Sequence, residues 1–241
     1  MRFALLLLAA LALVALAACG GGDDAEPVEP VPLAQRVLAE EDAPGSKPDP
    51  VETRQTTVDF DEFIRVLGEL AVDPDTEEMT AVFRDAGFEA AIIDTRFFGD
   101  THSPTSRHIF SSVIQLQSEE GATSALDWLE ADIMKPCPES CAVQIGEFDV
   151  DDIPDARGVH PSASAEDIEA VGNDDERPFD AYWIGFTDGS FVYTVDLNGP
   201  PGSVSEEQAE DIAGALYERI VDLRLDTHQA HGSQKQRRNR R

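Results

Sequence analysis

The stretch Tyr182 to Val195 constrains the fold more tightly than any other part of the chain. It runs Tyr182-Trp-Ile-Gly-Phe-Thr187, then Asp188-Gly189, then Ser190-Phe-Val-Tyr-Thr-Val195. Aromatic and β-branched residues alternate on both sides of an Asp-Gly pair, which predicts a β-hairpin closed by a two-residue type I′ turn. In that register Phe186 faces Phe191, Ile184 faces Tyr193 and Tyr182 faces Val195. All six lie on one face and form core. Trp183, Val192 and Thr194 fall on the other, outer face. A lone hairpin is marginal in water, so the rest of the chain must supply further strands and helices to cover it.

A second hairpin is predicted from Phe88–Phe98 and Arg107–Gln117, joined by the polar loop Gly99–Ser106. Each hairpin leads into an amphipathic helix that begins at Ser-Glu-Glu, at Ser118 and at Ser205. The apolar stripes are Ala122, Ala125, Leu126, Leu129 and Ile133 in one helix, and Ala209, Ile212, Leu216, Ile220 and Leu223 in the other. Strand, strand, helix therefore occurs twice, over 88–134 and 180–226. Either these are two hairpin-plus-helix units, or a common arrangement simply recurs. Two shorter helices precede them, capped at Asp59 and Asp75, and Gly87 ends the second. Residues 142–150 read as a strand. Residues 151–178 read as a long acidic surface loop with a turn of helix near Glu166–Val171. The expected fold is α+β: one antiparallel sheet with amphipathic helices packed mainly on one face, occupying residues 57–227.

Charge narrows the range of functions. Forty-eight acidic residues against eighteen Lys and Arg give a net charge of −30. A nucleic-acid partner is excluded on that ground, since phosphate binding needs a positive face. Self-repulsion of this size favours high solubility.

The N-terminus, MRFALLLLAALALVALAAC, has one basic residue (Arg2), a short apolar run and small residues before Cys19. These are the parts of a secretory signal, and the run is too short for a permanent span. Leu16-Ala17-Ala18-Cys19 resembles the bacterial lipobox. That resemblance implies a diacylglyceryl group on the Cys19 thiol and cleavage before it, so residues 1–18 would be a signal peptide. Residues 19–56, rich in Gly, Asp, Glu and Pro, read as a lipidated, disordered tether, with only a transient helical turn over Leu33–Leu38. Residues 228–241, ending in Gln234-Lys-Gln-Arg-Arg-Asn-Arg-Arg241, read as a basic disordered tail. It either touches anionic phospholipid headgroups or folds back on the acidic domain. The order of elements, and Asp188-Gly-Ser-Phe-Val-Tyr-Thr-Val195 leading to a C-terminal helix, resemble actinobacterial extracytoplasmic domains. Two such groups are the sensor ectodomains of membrane serine/threonine kinases and lipoproteins with a PsbP/Mog1-like fold. Neither resemblance supplies a catalytic motif.

With Cys19 acylated, Cys137 and Cys141 remain as a pair in Pro136-Cys-Pro-Glu-Ser-Cys141. Outside the cytoplasm a disulfide is their expected state, closing a very short loop. Metal binding or redox exchange would need further soft ligands or the Cys-x-x-Cys spacing. His102, His108 and His160 share no ligand spacing, and Asp149–Asp152 and Asn173–Glu176 lack the EF-hand pattern. No metal or cofactor is implied. Gly-x-Ser-x-Gly, His-Glu-x-x-His and glycine-rich phosphate loops are missing. The expectation is a lipid-anchored module on the extracytoplasmic face of the cell membrane that binds an envelope protein or lipid without catalysis. Its candidate binding residues are His102 and Trp183. The competing readings are an envelope hydrolase with an unfamiliar site and a purely structural spacer.

Overall fold

The computed structural model describes residues 31–48, 57–70, 75–99, 105–136, 141–171 and 177–238, with backbone only for Leu70 and 226–238. Residues 31–238 belong to one compact unit. Its strands are β1 (Lys47–Pro48), β2 (Thr57–Val58), β3 (Phe88–Phe98), β4 (Arg107–Leu116), β5 (Gln144–Phe148), β6 (Arg157–Ala163), β7 (Phe179–Asp188) and β8 (Phe191–Gly199). They form one antiparallel sheet in the order β1-β3-β4-β8-β7-β6-β5, with β2 also on β3. The helices are α1 (Phe60–Leu70), α2 (Thr76–Asp85), α3 (Glu119–Ile133), α4 (Ala165–Val171) and α5 (Glu206–Arg238). The α+β class and the antiparallel sheet are as the sequence predicts.

Local signals set the helix starts. Asp59 accepts from the Glu62 N–H at 3.0 Å, Asp75 from Glu78 at 2.9 Å, Ser118 from Gly121 at 3.0 Å and Ser205 from Gln208 at 3.3 Å. Each bond satisfies an N–H that the first turn would otherwise leave without a partner.

The two hairpins pair through β4 and β8, which places Val113 opposite Tyr193 and Ile114 opposite Val192. Both members of each adjacent couple are fully buried, so the central strands are apolar on both faces and need cover on both. Helices α3 and α5, expected to share a face, therefore lie on opposite ones. Ala209, Ile212, Ala213, Leu216 and Ile220 of α5 cover Ile92, Val113, Ile184, Phe186, Tyr193 and Val195. On the other side α1, α2 and α3 cover Ala91, Ile114, Leu116, Val159, Trp183 and Val192. There Phe63 packs at 4.9 Å from both Phe83 and Phe88.

Three further expectations are corrected. The β7–β8 register pairs Asp188 with Phe191, Phe186 with Tyr193 and Ile184 with Val195, two residues away from the predicted one. The loop is Gly189-Ser190, with positive φ (59°) at Gly189 and none at Ser190. That is the type II′ pattern, which places glycine first. An even shift preserves which face each side chain takes.

Within 151–178, β6 replaces much of the expected loop. Gly158, His160, Pro161 and Ser162 conceal it in sequence, yet it lies between β5 and β7. Its ladder to β7 skips His160 and Pro161, and proline has no N–H to donate there.

The third correction concerns both ends of the domain. Residues 31–48, read as tether, dock on the α5 face. Leu38 is 1% exposed, and Val37 and Ala43 join the same core. The expected tail is helical as far as Arg238, as a continuation of α5.

Candidate functional site

The docked segment 31–48 borders a cleft between the end of β3 and the first turns of α5. A short 3-10 helix, Leu33–Gln35, opens the segment and β1 closes it against Phe97 and Arg96 of β3. Burial of Leu38 contributes about 2 kcal/mol to holding it. Two arginines do the rest. Arg219 of α5 forks onto the Asp42 carboxylate at 2.7–3.0 Å and donates to the Gln35 and Val37 carbonyls at 2.7 and 2.5 Å. Asp42 also accepts from the Ala39 N–H at 2.7 Å. Arg36, 6% exposed, donates to the Tyr193 hydroxyl at 2.6 Å and lies 3.9 Å from the Phe191 ring centre. Its guanidinium is 3.6 Å from Asp188, and Asp188 also bonds Arg224 of α5. Burial pushes the Tyr193 hydroxyl up to about 12, and the Arg36 charge works in the opposite direction.

The cleft holds about 720 Å³, within the range typical of ligand sites. Its walls are residues 41–45, the end of β3 at Phe98 and Gly99, and Gln208, Asp211, Ile212 and Ala215 of α5. Arg107, at the start of β4, stands in it with its guanidinium 4.5 Å from the Phe98 ring centre. Its described lining contains no Ser, Thr, Cys, His, Lys or Tyr. It offers carboxylates at Glu41 and Asp211, a stacked guanidinium and an apolar floor. Those groups suit recognition of a polar ligand.

Trp183 is not on an outer surface. It is 6% exposed beneath α3 and packs with Val159, Leu126 and Val192. A Cβ at Gly185 would lie 2.4 Å from its indole and 2.6 Å from Leu126, so the glycine makes room for the ring. Its assignment as a binding residue is corrected: the face that one hairpin leaves open is closed by helix α3, far earlier in the sequence. His102 lies outside the described residues, as do Cys19 and Cys137, and with Cys137 the pairing proposed for Cys141. His160 stacks on Tyr182 at 4.2 Å, while His108 sits on β4 opposite Phe97 and Asn198. No group of three or more His, Cys, Asp or Glu among the described residues is arranged to hold a metal ion. Nor is any described helix long and apolar enough to cross a membrane.

One polar group stands apart from the cleft. Asp196 of β8 lies between Phe110 and Trp183 across the ladder. One of its carboxylate oxygens is inaccessible and has no hydrogen-bond partner. Burial pushes its carboxyl up to about 6, against a smaller opposing pull from the Asn198 side chain.

No protein-family model matches the chain, and no curated protein sequence matches it. Among solved structures it is similar to the extracellular domain of PknH from Mycobacterium tuberculosis, with 14% identity and a TM-score of 0.48. That match covers 80% of this chain and 98% of the other. A likeness this distant transfers no role.

Proposed function

We propose that the protein is a lipid-anchored extracytoplasmic module that acts by binding, without catalysis, and that the cleft beside residues 41–45 receives its partner. The cleft's lining carries this reading: carboxylates and a stacked arginine at the rim of an apolar floor bind well, and the described lining holds no hydroxyl, thiol, lysine amine or imidazole. The anchor rests on the lipobox resemblance at Leu16–Cys19, and the basic C-terminal residues add an electrostatic contact to anionic lipid. A disulfide between Cys137 and Cys141 belongs to the same compartment. His102 remains a candidate contact in the Gly99–Ser106 loop, whose first residue, Gly99, lines the cleft. The partner is an envelope protein or lipid.

Cell fractionation with Cys19→Ala and Arg107→Glu variants tests both halves. Cys19→Ala should move the chain from the membrane to the soluble fraction and abolish fatty-acid labelling; membrane retention with unchanged labelling overturns the anchor. Arg107→Glu should stay in the membrane fraction but lose cross-links formed from a photoreactive residue at Gln208 in intact envelopes. Unchanged cross-links overturn the cleft.

A further inference from the structure

The start of the described domain and Arg224 of α5 come together at the tip of the β7–β8 hairpin. The chain enters at Val31, whose carbonyl accepts from Arg36 Nε at 3.5 Å, and Arg36 lies against Asp188 at the tip. Helix α5 begins at the opposite end, after β8, and reaches the same Asp188 through Arg224. The lengths agree. From Glu206 to Arg224 a helix rises about 27 Å, and from Phe191 to Gly199 a strand spans about 27 Å. One pass of α5 across the sheet therefore ends at the tip. The backbone stays helical to Arg238, about 21 Å further along the axis.

Charge changes sign over that extension. Residues 227–241 carry Lys235, Arg237, Arg238, Arg240 and Arg241 and no acidic residue, in a chain of net charge −30. At the tip itself acids outnumber bases: against Arg36 and Arg224 stand Asp188, Glu89 at the start of β3, and Glu119 and Glu120, which start α3 just after β4 ends beside Ser190. An anionic surface would repel that pole at contact. It would not do so across about 21 Å, more than twice the physiological Debye length of about 8 Å.

We propose that the β7–β8 tip is the membrane-facing pole and that the extension of α5 beyond Arg224 is a basic strut standing on anionic lipid. The strut holds the acidic body off the surface. The cleft, lined by the first turns of α5 and by Phe98 and Arg107, then faces away from the membrane and is open to a partner. This rests on the anchored reading above and adds an orientation to it.

The test uses the acylated full chain on vesicles of equal parts phosphatidylglycerol and phosphatidylcholine, with acceptor dye on the headgroups. A donor dye is coupled to an azido residue at Ser190 in one sample and at Pro201 in another, and energy transfer is read only on chain that floats with the vesicles. Transfer should be several-fold higher from Ser190 than from Pro201. The difference should disappear in the Lys235→Glu, Arg237→Glu, Arg238→Glu triple variant, with circular dichroism unchanged, and on pure phosphatidylcholine. Equal transfer from both sites, greater transfer from Pro201, or a difference that survives in the triple variant or on neutral vesicles overturns the proposal alone. A chain that does not float overturns the anchored reading and the proposal with it.

Discussion

At the scale of single residues, Asp196 and the arginine contacts show how position sets the worth of a charge. An aspartate in an unfolded chain titrates near 3.9, whereas burial pushes Asp196 up to about 6. The folded state thus holds its proton more tightly. Between those two pH values the native protein binds more protons than the unfolded chain, so this group's contribution falls as pH rises from about 4 to 6. It then stays low, by up to about 3 kcal/mol. Asp196→Asn removes the ionisation while keeping the shape. Urea unfolding should show the variant more stable than the native chain by about 1–2 kcal/mol at pH 8. The gap should narrow toward pH 4; a variant less stable at pH 8 sinks this account. Nothing in the sequence marks this aspartate among forty-eight acidic residues. Its environment comes from Phe110 and Trp183, on strands that only pairing brings alongside. Arg36 was equally hidden, since its Tyr193 partner is 157 positions away.

Elements were more legible where their pattern is local. Every predicted helix start carries its cap, and the hairpins form between the expected runs, because a cap or a turn depends on residues within a few positions. The segment 31–48 was not legible. Its prolines, glycine and acids resemble a linker, and its few apolar residues find their seat only when α5 and the sheet meet. Its hold depends on Arg219, which satisfies Asp42 and two backbone carbonyls at once. Arg219→Ala should therefore release this segment before the sheet. Hydrogen exchange of residues 36–46 should accelerate by one to two orders of magnitude, roughly 1–3 kcal/mol for charge-assisted bonds. Amides of β4 and β8 should change far less. Equal acceleration in both, or in neither, is the contrary result.

For the whole molecule, a net charge of −30 acts against the compact state by self-repulsion. Screening relieves it, so the melting temperature should rise by several degrees between about 0.01 and 0.15 M salt, where the Debye length shrinks from about 30 to 8 Å. A fall over that range would mean that the ion pairs around Asp188 and Asp42 outweigh the repulsion. The sequence by itself determined the α+β class, the antiparallel hairpins, the helix starts and the resemblance to an exported lipoprotein. All of these rest on periodicity or spacing within short windows. Only the tertiary structure decided that α3 and α5 take opposite faces, that Trp183 is core, that residues 31–48 complete the domain and form one wall of the cleft, and that Arg36 and Arg224 meet at Asp188. Each of these depends on which distant surface is left to be covered, and that is settled by packing across the sheet.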